Sequence, residues 1–111
     1  GVSHSRMAEF VRSSANRRAP EDLRSPAIGG RLGAIRRAAG LNKVQMTDAL
    51  GLSSPVYWNR WESGKRPIPV DVAYQLTTMF PVDLDYIFTG DMSVVTVDMQ
   101  MRLNSDPDTH Q

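Results

Sequence analysis

The segment from Asn42 to Glu62 most constrains what this chain can become. It punctuates two short helices and the turn between them. Asn42 is a good first cap, and Gln45 three residues on completes a capping box. Gly51 ends that helix, because glycine accepts the left-handed conformation at a helix C-terminus. Ser54 caps the next helix, and Pro55 fits its first position, where no N–H is needed. Trp58 and Trp61, at an i, i+3 spacing, mark its buried side, and Ser63-Gly64 stops it. The spacing therefore predicts helix, tight turn, helix.

The flanks are helical as well. Ile28, Leu32, Ile35 and Ala39 recur at three- and four-residue steps, forming one apolar stripe that closes at Gly40. Met46, Ala49 and Leu50 are expected on the buried face of the helix that starts at Asn42. After the stiff basic loop Lys65-Arg66-Pro67-Ile68-Pro69, residues 70–80 read as a fourth helix, with Val72, Ala73, Leu76 and Phe80 inward. Pro81 stops it. Residues 82–88 read as a short fifth helix, with Asp83 and Asp85 at its acidic start.

The two ends differ from this middle. Residues 1–26 are rich in Ser, Pro and charge and poor in large apolar groups, so they are expected to be a disordered basic arm. Residues 92–111 form a tail. In it Val95, Val97, Met99, Met101 and Leu103 alternate with Thr96, Asp98, Gln100 and Arg102. Period two predicts a strand. An edge strand recruits another chain, so Val95, Val97, Met99 and Met101 are expected to make a homodimer. Residues 104–111 are expected to be disordered. The whole is expected to be all-α: five helices within residues 27–91, plus the arm and the strand tail.

Charge and composition narrow the function. Residues 1–66 hold twelve Lys/Arg against five Asp/Glu, whereas residues 67–111 hold one against seven. A basic half of that kind suits a polyanion. Cysteine is absent, which removes disulfides and thiolate metal sites and fits a reducing cytoplasm. His4 and His110 both fall in expected disorder, and no phosphate-cradling Gly-rich loop follows a strand. No enzyme, metal or cofactor is expected. No apolar run approaches a membrane span.

The blocks GRLGAIRRAAGLNKVQMTDALG, YWNRWESGKR and LDYIFTGD together resemble the phage Cro/repressor (XRE-type) helix-turn-helix family over roughly residues 28–91. The resemblance implies a five-helix domain that binds double-stranded operator DNA as a dimer, as a transcriptional regulator at the nucleoid. It places Pro55, Val56, Tyr57 and Arg60 at base-facing positions of the second helix of the motif. Ser54 and Asn59 match flanking contacts, Lys43 a phosphate contact, and Lys65 and Arg66 a phosphate-holding loop. Arg36 and Glu62 match a pair that ties the first helix to the end of the third.

Two departures stand out. One extra residue lies between Gly51 and Glu62; placed in the turn at Ser53 it keeps these assignments, whereas inside the helix it would shift the base-facing positions by one. Pro55 and Val56 also bring no hydrogen-bonding group to positions where the family favours long polar side chains. Trp58 and Trp61 are expected in the core rather than as stacking platforms, and Tyr57 is expected to face outward. The basic arm, with Arg12, Arg17, Arg18 and Arg24, is a candidate to follow DNA into a neighbouring groove. The rival function is an antitoxin-type module that binds a partner protein through the acidic half and the tail.

Overall fold

In the computed structural model, residues 25–105 are described, and among them are six α-helices and no strand. The arginines of the basic arm, Arg12, Arg17, Arg18 and Arg24, lie outside the described residues, as do residues 106–111. The helices are α1 (Ser25–Ala38), α2 (Lys43–Leu50), α3 (Pro55–Glu62), α4 (Val70–Met79), α5 (Leu84–Thr89) and α6 (Val97–Asn104).

The punctuation operates as the sequence predicts. Asn42 accepts from the Gln45 N–H while the Gln45 side chain accepts from the Asn42 N–H, both at 2.8 Å. Ser54 accepts from the Val56 N–H, with Pro55 at the first helical position. Three successive helices close in one way. The glycines Gly40, Gly51 and Gly64 take positive φ, and each donates its N–H to the carbonyl three residues back. The next residue, Leu41, Leu52 or Lys65, donates to the carbonyl five residues back. This is the Schellman closure, which satisfies two carbonyls that a helix end would otherwise orphan. Leu41 and Leu52 then fold back against the core.

Helix α1 is central and packs against α3, α5 and α6. Ile28, Leu32 and Ile35 supply its buried stripe, joined by Met46, Leu50, Trp58, Trp61, Leu76 and Ile87 from its neighbours. Of the expected inner residues, Ala49 proves exposed, and Val72 and Phe80 are half-buried. Gly29 is what lets α1 approach α3 so closely. A Cβ there would lie 2.4 Å from the Glu62 carbonyl oxygen and 2.7 Å from that of Trp61.

The tail corrects the expectation from period two. Residues 97–104 are helix, not strand. Thr96 caps it by accepting from the Met99 N–H, Asp98 sits in the first turn, and Arg102 Nε reaches Asp98 Oδ2 at 3.2 Å. Alternation at every second residue also contains an i, i+4 series, and it is this series that is buried. Val95, Met99 and Leu103 enter the core, whereas Val97 and Met101 are exposed. The four residues expected on one dimerising strand face are thus split between core and surface. A lone strand would leave its N–H and C=O groups unpaired along both edges, and a helix satisfies them internally. The incoming loop is closed by Gln100 Nε2, which donates to the carbonyls of Met92 (3.1 Å) and Val95 (2.7 Å).

Candidate nucleic-acid interface

The interface is built from the two helices around the Gly51–Ser54 turn. Thr47 is the buried polar residue of α2, and its hydroxyl donates to the Lys43 carbonyl at 2.7 Å. Its polar atom therefore stays satisfied inside the domain. Ser53 lies in the turn, and α3 starts at Pro55.

The rotation of α3 is set by its tryptophans. Trp58 is fully buried and Trp61 nearly so, with the rings packed edge to face at 6.4 Å. Both belong to the core. Pro55, Val56, Tyr57, Asn59 and Arg60 are all exposed in consequence. Tyr57 leans on Trp61, ring centroids 6.5 Å apart, so a core residue steadies an outward ring.

Glu62 joins the pieces at the end of α3. Arg36 of α1 donates to it through two nitrogens, Nε to Oε1 at 2.7 Å and a terminal nitrogen to Oε2 at 3.2 Å. Arg36 also donates to the Leu41 carbonyl at 3.0 Å, which holds the turn before α2. Trp58 Nε1 donates to Glu62 Oε1 at 2.9 Å. Lys43 Nζ lies 3.7 Å from Glu62 Oε2 and donates to Asn59 Oδ1 at 2.9 Å. Burial by itself would raise the Glu62 pKa. The hydrogen bonds from Arg36 and Trp58, with the charges of Arg36 and Lys43, outweigh it and hold the carboxyl below its ordinary value.

The expected phosphate-binding residues gather around this face. Lys43 is exposed at the start of α2, and its bond to Asn59 brings two of them together. Ser54 is half-exposed beside Pro55. Lys65 and Arg66 are exposed just past α3, and both their backbone N–H groups donate to the Arg60 carbonyl, at 3.0 and 3.2 Å, which folds the basic loop back onto the helix end. The first turns of α2 and α3 carry no acid, whereas those of α4, α5 and α6 hold Asp71, Asp85 and Asp98. The positive dipole ends nearest the basic side chains are therefore left without a neutralising carboxylate.

Three participants had weak sequence signals. Gly29 reads as an ordinary helical glycine until α3 is placed against it. The Trp58 indole N–H signals a partner only in general, because buried tryptophan needs one. Arg31 Nε donates to the Ile87 carbonyl at 2.9 Å, anchoring α5 to α1, with no motif to announce it.

Among the described residues no helix is long and apolar enough to cross a membrane, and no group of three His, Asp or Glu side chains could hold a metal. The chain matches no curated protein and no solved structure. It does match the helix-turn-helix domain family over residues 27–85, a span that covers α2, the turn and α3 entire. With that match and the capped two-helix geometry in agreement, the chain belongs to the helix-turn-helix domain family.

Proposed function

We propose that this chain is a sequence-specific DNA-binding transcriptional regulator, a repressor that grips an inverted-repeat operator as a homodimer in the cytoplasm. The observation that carries the reading is the outward face of α3. Tyr57 and Arg60 are exposed there, Lys43 is bonded to Asn59 of the same helix, and Lys65 and Arg66 follow in the loop folded onto its end. In helix-turn-helix proteins the second helix of the motif enters the major groove and the first crosses the backbone. Pro55, Val56, Tyr57 and Arg60 then meet base edges, and Lys43, Ser54, Asn59, Lys65 and Arg66 meet phosphates. Arg60 suits guanine O6 and N7.

The dimer uses the outer face of α6. Val97 is 71% and Met101 68% exposed, and Val94 just before the helix is 75% exposed. A twofold axis would set this patch against its own copy. Two α3 helices about 34–36 Å apart would then read half-sites one DNA turn apart.

The same apolar patch supports a second reading, in which the chain is an antitoxin-type module that holds a partner protein. Salt separates the two. Selection of duplexes from a random pool by the purified protein should yield an inverted repeat. Its affinity should fall with salt at a log–log slope of roughly −0.9 per neutralised phosphate. Failure to enrich any duplex, with salt-insensitive binding of a protein, would favour the second reading.

A further inference from the structure

The outward face of α3 is not uniform. Its later part carries the polar groups of Asn59 and Arg60. Its first turn carries Pro55 and Val56, which have no side-chain donor or acceptor, and Val56 is 50% exposed. A single exposed valine is ordinary on a protein surface. This one is held at its place. The buried indoles of Trp58 and Trp61 fix the rotation of the helix, and the Trp58–Glu62–Arg36 bonds lock it to α1. Val56 therefore cannot turn inward. On the same helix Asn59 holds Lys43 and Arg60 follows one turn along from Val56, cations that suit a polyanionic partner.

Resting on the reading that this face enters the major groove, the geometry points to a methyl-reading patch. Base edges there offer hydrogen-bond donors, acceptors and one apolar feature, the C5-methyl group of thymine. Pro55 and Val56 can complement only the last. We propose that Val56, backed by Pro55, selects a C5-methylpyrimidine beneath the first turn of α3. The methyl group can come from thymine or from 5-methylcytosine, which carries it at the same ring position.

The test selects duplexes from two random pools, one unmodified and one methylated at CpG cytosines. Each selected duplex is then measured without its methyl groups, with deoxyuridine for thymine or cytosine for 5-methylcytosine. Wild type and Val56→Ala are compared on both forms. Val56 is half exposed and lies outside the buried core, so the variant should fold, and its unchanged melting curve is the check. One buried methyl group is worth roughly a fourfold change in affinity. Wild type should lose about that much on the demethylated duplex in one arm, and Val56→Ala should bind both forms alike. A loss in the deoxyuridine arm identifies thymine, and a loss in the cytosine arm alone identifies 5-methylcytosine. Equal wild-type affinity with and without methyl groups in both arms overturns the proposal while leaving DNA binding intact. Undiminished discrimination by Val56→Ala overturns the assignment to Val56. Enrichment of no duplex from either pool removes the DNA reading and this inference with it.

Discussion

Helices α3 and α6 have the same length, eight residues, and similar starts, a Ser or Thr cap whose hydroxyl accepts from the backbone. Each buries two large side chains, Trp58 and Trp61 in one, Met99 and Leu103 in the other. Their outer faces differ. That of α3 carries Tyr57, Asn59 and Arg60, and its first turn has no acid. That of α6 carries Val97 and Met101, with Asp98 in the first turn and paired to Arg102. Equivalent inner faces thus hold both helices in one core, and function has to be read from the outer faces. One presents a cation and polar groups beside Pro55 and Val56, and the other presents two exposed apolar side chains.

Helix α6 contributes the fully buried Leu103 to the core. Leu103→Ala should destabilise the protein by about 2–5 kcal/mol in urea denaturation, because a fully buried leucine loses both transfer energy and packing. A variant as stable as the parent would show that α6 is a detachable tail. Removing residues 93–111 should for the same reason cost stability as well as any dimer, since Val95 and Met99 leave the core with Leu103.

Next in size is the anchor of α3. Glu62→Ala should cost roughly 3 kcal/mol, the low end for removing one partner of a buried ion pair. The Arg36 guanidinium then loses its carboxylate and the Trp58 N–H its acceptor. The pH dependence has a definite sign. A folded-state pKa held below the ordinary value contributes stability above the unfolded value, about 4.3 for glutamate. That contribution is lost as pH falls through the lower, folded value. Glu62→Gln should flatten this part of the acid limb of the stability profile, and an unchanged limb would remove Glu62 from the account.

Gly29→Ala should come third, at about 1–3 kcal/mol by overpacking, because the new methyl group meets backbone carbonyls of α3 that cannot rotate away. A neutral result in thermal melts would mean that α1 and α3 separate at little cost. The smallest effect on stability sharpens the contrast between inner and outer faces. Val97→Ser with Met101→Ser should change stability by no more than about 0.5 kcal/mol per site. The same variant should lower the sedimenting mass if the apolar face of α6 pairs with its copy. A dimer that survives would move the interface elsewhere.

How far the sequence was legible differs along these same lines. The motif could be read because its signals are local. A capping box, a Ser-Pro start and glycine closures each act within a few residues of themselves. Burial of Trp58 and Trp61 followed from helical spacing together with the family resemblance, and exposure of Tyr57 from its place between them. The Arg36–Glu62 pair is distant in sequence and was legible only through the family resemblance. The tail misled because Val95, Met99 and Leu103 satisfy periods of two and four alike. What separates them is the space on α1 for a single face, together with the Thr96 cap and the Asp98–Arg102 pair. Gly29 was silent because its meaning is a distance to another helix.

If the outer face of α3 reads sequence while the residues around it supply affinity, Arg60→Ala and Lys65→Ala will differ when measured on the selected operator and on a scrambled duplex across a salt series. Both side chains are exposed, so neither change should disturb the fold. Arg60→Ala should cost about 1–3 kcal/mol on the operator and little on the scrambled duplex, and Lys65→Ala should weaken both alike and reduce the salt slope by about one unit. Equal losses on the two duplexes for Arg60→Ala would make Arg60 a phosphate contact and contradict the account.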